Sequence, residues 1–201
     1  YQFAFVSGTK LDHLRQMISS RVSKEHHILA MTGTTYAVIA NGNSHIRYSY
    51  PLSETEKQEI INALEKLTQE FNLQPMTSKE DQIQDRETQI AFSTLGRYAP
   101  TELKRKFDPD GSKRKEYITF LRKFLDEEKY ELNIGGLTTI DITKKGFDKA
   151  WAITEFLKFN HIEAKNVLFF GDKLFPGGND YPATKIVDCI AVKNPEETLE
   201  K

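Results

Sequence analysis

Two hydrophobic periods in one chain constrain this sequence more than any other feature. Near both ends, continuously apolar runs alternate with helical patterns: Val167–Phe170 and Ile186–Val192 follow a helix expected over 147–159, and Pro195 sits where a terminal helix should begin. Such runs are strands buried on both faces, which requires a mainly parallel sheet covered by helices, an α/β core. The opening run Tyr1-Gln2-Phe3-Ala4-Phe5-Val6 reads the same way, as a buried strand. After Ser7-Gly8-Thr9, residues Leu11, Leu14, Ile18 and Val22 carry the spacing of an amphipathic helix over 10–22. A strand over 26–31 follows, and Asn41-Gly42 joins 35–40 to 44–49 as a hairpin, because both turn residues tolerate positive φ. A native chain seldom begins inside a core strand, so an absent or separate N-terminal piece is expected.

The middle third has a different character. Ser53 and Glu56 form the pattern of a capping box, and Ile60, Ile61, Leu64, Leu67 and Phe71 make one apolar helix face. Residues 88–94 alternate as a half-buried strand, 115–125 is helical, and Gly135-Gly136 joins 131–134 to 138–143. This describes an α+β insert with an antiparallel sheet, a cap over 53–143, in a core made of 1–52 and 144–201.

Charge excludes whole classes of partner. With 28 basic against 29 acidic residues, no net field recruits nucleic acid or an anionic membrane, so an anion site must be built locally. No apolar run approaches the roughly 20 residues that cross a bilayer, and a cytoplasmic location follows by default. The five histidines are scattered, and His26 and His27, adjacent on a strand, face opposite ways, so they make no metal site. The lone Cys189 lies in an apolar run and reads as a small buried hydrophobe; Trp151, beside Ile153 and Phe156 on its helix, reads as core.

Two loops stand at the carboxyl ends of strands, where open parallel sheets bind ligands. Ser7-Gly8-Thr9, a hydroxyl and glycine at a helix start, suits phosphate, although the same triplet also serves as an ordinary cap. Gly171-Asp172-Lys173-Leu174-Phe175-Pro176-Gly177-Gly178-Asn179-Asp180 is richer. A carboxylate at the tip of a buried strand is costly unless paired or bound to a cation, and few hard oxygens with substrate phosphate are how Mg2+ is held. Lys149, opening the preceding helix, can reach phosphate as a point charge.

Ser7-Gly8 after a strand, Gly146-Phe147-Asp148-Lys149, and Gly171-Asp172-Lys173 running to Asp180 resemble the second, third and fourth motifs of the haloacid dehalogenase superfamily. The loop from Phe169 to Asp180 is similar to that of the eukaryotic-type phosphomannomutases and their bacterial phosphatase relatives. The resemblance implies a Rossmann-like core with an α+β cap and assigns roles. Ser7, with Gly8 and Thr9, would hold the phosphoryl group and Lys149 would neutralise it. Asp172 would ligate Mg2+, and Asn179 and Asp180 would support phosphate and metal. In the cap, Arg86 and Arg97 match two substrate-binding arginines, Lys104 falls where a third is expected, and Thr139 and Asp141, which share a strand face, match a serine and an aspartate that contact sugar phosphate. The substrate implied is a small phosphate ester, with room for a homodimer through the cap.

The family's first motif, an Asp-x-Asp that supplies nucleophile and acid/base, is missing. Phe107-Asp108-Pro109-Asp110-Gly111-Ser112 has similar letters but follows a charged segment and carries turn chemistry, so it is expected as a cap loop. This chain by itself is then expected to be inactive. Lys104, and Thr32-Gly33-Thr34 where phosphomannomutases usually carry Asn-Gly, tip the reading towards a hexose-phosphate phosphatase, with phosphomannomutase as the alternative. A catalytically silent sugar-phosphate binding module is the third.

Overall fold

The computed structural model describes residues 1–201. The elements in chain order are β1 (Phe3–Val6), α1 (Leu11–Ser19), β2 (His26–Ala30), β3 (Thr35–Ala40), β4 (Asn43–Ser49), α2 (Glu54–Glu70) and α3 (Lys79–Gln82). Then come β5 (Ile83–Asp85), β6 (Gln89–Ser93), α4 (Thr101–Phe107), α5 (Ser112–Leu121), β7 (Tyr130–Gly135) and β8 (Thr139–Lys144). The chain ends with α6 (Lys149–Asn160), β9 (Leu168–Gly171), β10 (Asp188–Ala191) and α7 (Pro195–Glu200). It divides into two compact units, Tyr1–Ser49 with Gly146–Lys201, and Tyr50–Lys145; the expected borders at 53 and 143 fall just inside the second. No helix is long and apolar enough to cross a membrane.

In the first unit, β1 pairs parallel to β2, and the β3–β4 hairpin continues that sheet antiparallel; β9 and β10 form a separate parallel pair. The hairpin turns at Asn41 and Gly42, with φ of 51° and 77°, the backbone that Asn-Gly favours. Helix α1 covers one face of the larger sheet through Leu14 against Ile28, Ala30 and Ile39. Helix α6 covers the other, where Ala152, Ile153, Phe156 and Leu157 pack with Leu29, Tyr36 and Val38.

The direction of α6 orients the strands. At its N-terminal turn, a Cβ built on Gly33, just past β2, would lie 2.3 Å from the Ala152 Cβ, so only glycine fits there at φ 84°. Lys149 of the same turn bonds Asp180, beyond the end of β9. At the other end, Phe156 meets the His27 ring edge to face and Asn160 accepts from the Tyr36 hydroxyl. The strands β2 and β9 thus both end at the N-terminal pole of α6, and β1, parallel to β2, points the same way.

One expectation fails here. The opening strand is not buried: Phe3 is 52% exposed, and on β9 Leu168 is 49% exposed. The reason is topological, because β1 and β9 each have one bonded neighbour and leave the other edge open. Between them runs a cleft of about 800 Å³, lined by Phe3, Ala4, Val6, Phe169 and Phe170 from the strands and by Ile153 and Phe156 from α6.

In the second unit the antiparallel sheet has the order β5-β6-β8-β7. The capping box at Ser53 and Glu56 is fully formed, starting α2, whose Ile60, Ala63, Leu64 and Leu67 enter the core with Ile90, Phe92, Leu121, Ile140 and Ile142. Strand β6 is buried along its whole length rather than half-buried, because it is central and its polar residues are bonded: Gln89 to Asp141, and Ser93 to Thr138. The 108–111 loop is a turn, as expected. Its Asp108 is 2% exposed and forms a buried pair with Arg114, whose Nη1 also binds the carbonyls of Gly135 and Gly136.

Candidate active site

The N-terminal pole of α6 gathers the phosphate-type groups. The Thr9 amide donates to the Ser7 hydroxyl oxygen at 3.2 Å, and Ser7 Oγ donates to Thr9 Oγ1 at 3.1 Å, so the loop after β1 closes on its own hydroxyls. The loop after β2 lies against it, with the Thr32 amide donating to the Ser7 carbonyl at 2.8 Å. Met31 and Thr32 both have positive φ, 51° and 56°, and Gly33 continues the turn onto Ala152. Asp148 caps α6 by accepting from the Trp151 amide, which aims the following Lys149 along the strand ends.

Lys149 Nζ donates to Asp180 Oδ1, and the Lys173 amide donates to Asp180 Oδ2 at 3.0 Å. The Asp180 side chain is 3% exposed. Burial pushes its carboxyl up, but the Lys149 ammonium and the Lys173 amide outweigh that and hold it below the ordinary aspartate range, with the Asp172 side chain adjoining. Contacts therefore run without a break from Ser7 through Thr32, Gly33 and the first turn of α6 to Asp180 and Asp172. The loop is tight: a Cβ on Gly171 would meet Asp180 Oδ2 at 2.8 Å, and one on Gly178 would meet the Lys173 carbonyl at 2.1 Å.

Asp172 is not the desolvated carboxylate that its place after an apolar strand suggests. Asp172 is exposed, because β9 is an open edge, and the buried carboxylate of the loop is Asp180. Asn179 is exposed on the same loop. The two neighbouring carboxyls nonetheless fit Mg2+: hard oxygens, few in number, one backed by a lysine, with the remaining positions left for phosphate and water. Such an ion would supply charge neutralisation for a transferring phosphoryl group.

In the cap, Asp141 Oδ1 accepts from Gln89 Nε2 at 3.1 Å and faces Arg86 Nη1 at 3.7 Å. Its Oδ2 lies over Gly135, where a Cβ would come within 2.3 Å. Burial pushes the Asp141 carboxyl up, opposed by Arg86. Arg86 also donates to Gln84 Oε1. Arg97 is exposed and lies over the Tyr98 ring, and the Lys104 ammonium bonds the Arg97 carbonyl. Thr139, paired with Ser93 across the sheet, is half-buried. The expected cap residues therefore form two groups, one around Asp141 with Arg86 and one joining Lys104 to Arg97.

Two contributors escaped the sequence reading. Gln89 holds Asp141, and Asp81 holds the loop carrying Arg97 through the Tyr98 amide and the Thr77 hydroxyl. Gln89 stood at the start of an alternating run, and a polar residue at a strand start was the available signal.

Comparison with solved structures defines the fold. A haloacid dehalogenase-like hydrolase from Bacteroides thetaiotaomicron superposes with a TM-score of 0.64 at 12% identity, covering 99% of this chain and 78% of that one. An IMP-nucleotidase from Plasmodium falciparum gives 0.62 at 18% identity, covering 98% and 52%. The fold is the haloacid dehalogenase core with an inserted α+β cap.

The model of the eukaryotic phosphomannomutases matches residues 1–201, and the chain belongs to that family. It is 34% identical to the phosphomannomutase of Encephalitozoon cuniculi over 124 residues, 59% of this chain and 47% of that protein. Against the spinach enzyme it is 30% identical over 75% of this chain and 60% of that protein, and against the Schizosaccharomyces pombe enzyme 27% over 94% and 82%. The chain thus spans about half to three-fifths of the length of the first two relatives.

Proposed function

We propose that this chain is the greater part of a Mg2+-dependent phosphohexomutase acting on mannose phosphates or a similar hexose phosphate. The observation that carries the reading is the unbroken contact path from Ser7 to Lys149, Asp180 and Asp172, within a chain whose named relatives are phosphomannomutases. Those relatives favour the mutase over the phosphatase that Lys104 and Thr32 suggested. The backbone answers the second objection, since Thr32 and Gly33 both hold positive φ, the geometry Asn-Gly would adopt.

Phosphoryl transfer needs positioning and charge neutralisation more than covalent chemistry from the protein. Ser7 Oγ and the amides after it would hold the phosphoryl oxygens and Lys149 would neutralise them; Asp172 with Asp180 would hold Mg2+, which would supply further charge neutralisation. Asp141, fixed by Gln89 and flanked by Arg86, would offer an acceptor to sugar hydroxyls, and Arg86 or Arg97 would offer a guanidinium to a second phosphate. The nucleophile would arrive on an Asp-x-Asp strand lying in the cleft between β1 and β9, whose carboxyl end would then fall between Ser7 and Asp172.

Phosphorus-31 NMR of mannose 1-phosphate with Mg2+ tests this, using the chain alone and the chain extended by the segment encoded directly upstream. Interconversion with mannose 6-phosphate by the extended protein is the expected result. Release of inorganic phosphate instead would restore the phosphatase reading. Metal-independent turnover would contradict the Mg2+ reading, and no turnover in either form would leave the silent binding module.

A further inference from the structure

The loop after β1 has few donors left for a ligand. The Ser7 and Thr9 hydroxyls bond each other at 3.1 Å, so between them they keep one free proton. Of the three amides, that of Ser7 donates to the Leu29 carbonyl at 3.1 Å and that of Thr9 to Ser7 Oγ at 3.2 Å, which leaves that of Gly8. A phosphoryl group presents three oxygens that each accept strongly, and Lys149 shares its ammonium with Asp180.

The loop after β2 holds a further hydroxyl at the same place. Thr32 joins the first loop through its amide, which donates to the Ser7 carbonyl, and its Oγ1 lies 3.7 Å from where a Cβ on Gly8 would stand. It therefore faces the space that glycine leaves open. Thr32 is half-buried rather than sealed off, and its hydroxyl bonds no other group of the protein. Thr34, two residues on, shows the usual task of a hydroxyl in such a turn, since its Oγ1 donates to the Met31 carbonyl at 2.7 Å. Nor does the backbone ask for threonine at 32. With φ of 56°, between Met31 at 51° and Gly33 at 84°, the position disfavours a β-branched residue and suits asparagine or glycine. Strain of this kind is kept where a side chain serves a ligand.

We propose that Thr32 is a substrate-binding residue. Its hydroxyl donates to one terminal oxygen of the transferring phosphoryl group, beside the Gly8 amide and the free proton of the Ser7–Thr9 pair. Neutral donors from two loops thus fix the orientation of the group, while Lys149 meets its charge. The inference rests on the phosphoryl-transfer reading and adds to it a contact from a second loop.

Inorganic phosphate titrated with Mg2+ into the 15N-labelled chain tests this, with the Gly8 amide resonance as a local readout of the cradle. Thr32→Val keeps the size and branching of the side chain and removes the hydroxyl; Thr32→Ser keeps the hydroxyl. A saturable Gly8 shift is expected, with a midpoint raised about fivefold in Thr32→Val, the worth of one neutral hydrogen bond, and within about twofold of the unmodified chain in Thr32→Ser. Matching urea midpoints for the three forms exclude loss of fold as the cause. An unchanged phosphate midpoint in Thr32→Val overturns the inference and leaves the phosphoryl-transfer reading standing. Equal weakening in both variants assigns the effect to side-chain shape and overturns it as well. A Gly8 amide unmoved by phosphate in every form removes the cradle itself, and the inference falls with the reading it rests on.

Discussion

A carboxylate that is 2% exposed has to be held by donors or a cation, and at Asp180 the Lys149 ammonium and the Lys173 amide supply them. Its folded value lies below the unfolded aspartate value of about 3.9, so the stabilisation is complete above that pH and is lost as pH falls through the depressed value. Asp180→Asn should cost about 3 kcal/mol at neutral pH, because it leaves the largely covered Lys149 ammonium without its partner, and should flatten the acid limb of a plot of urea midpoint against pH. Asp141 runs the opposite way. Burial lifts its folded value, so its contribution is lost as pH rises through that value, and Asp141→Asn should raise stability at pH 7 while weakening hexose-phosphate binding. Equal or lower stability in the Asn variant, read by chemical denaturation, would remove the argument that this carboxylate is kept for binding. The sequence showed both aspartates but not which one of the phosphate loop was buried. Asp172 and Asp180 are equivalent as letters, and only the open edge of β9 and the reach of Lys149 separate them. Gln89 was missed for a similar reason, since an isolated glutamine at a strand start looks like a solvent-facing residue until its partner across the sheet is known.

Local signals set the elements they should. The capping box at Ser53 and Glu56, the Asn41-Gly42 turn, the Asp148 cap of α6 and Pro195 at the start of α7 all depend on residues within four positions of one another. The exposure of β1 and β9 was not legible, because an apolar strand reads as buried whether or not a neighbour is present to bury it. The turn after β2 carries strain of its own: Thr32, β-branched, holds φ 56° where asparagine would be at ease. Thr32→Asn should therefore raise stability by about 1 kcal/mol, visible as a higher urea midpoint with an unchanged slope; a lower midpoint would show that the Thr32 side chain contributes more than its backbone costs.

At the scale of the molecule, the open edges of β1 and β9 and the apolar cleft between them are the least satisfied feature of the core. Exposed parallel edges with apolar side chains invite pairing. The chain alone should bind the dye ANS through this cleft, and the upstream-extended form should bind far less; equal binding by both forms would place the exposed surface elsewhere. The α/β core with its inserted cap was legible from the two hydrophobic periods, whereas the split of the parallel sheet into β1–β4 and β9–β10 follows from the gap between strands and leaves no mark in either run. The account as a whole stands on Asp172 and Asp180 holding Mg2+ beside the phosphate cradle of Ser7 and Lys149. Calorimetric titration of mannose 6-phosphate into the chain, with Mg2+ and with EDTA, repeated on Asp172→Asn, tests that most directly. The account predicts Mg2+-dependent binding that weakens at least tenfold in the variant while its circular dichroism is unchanged. Binding of the same strength with EDTA, or in Asp172→Asn, would contradict it.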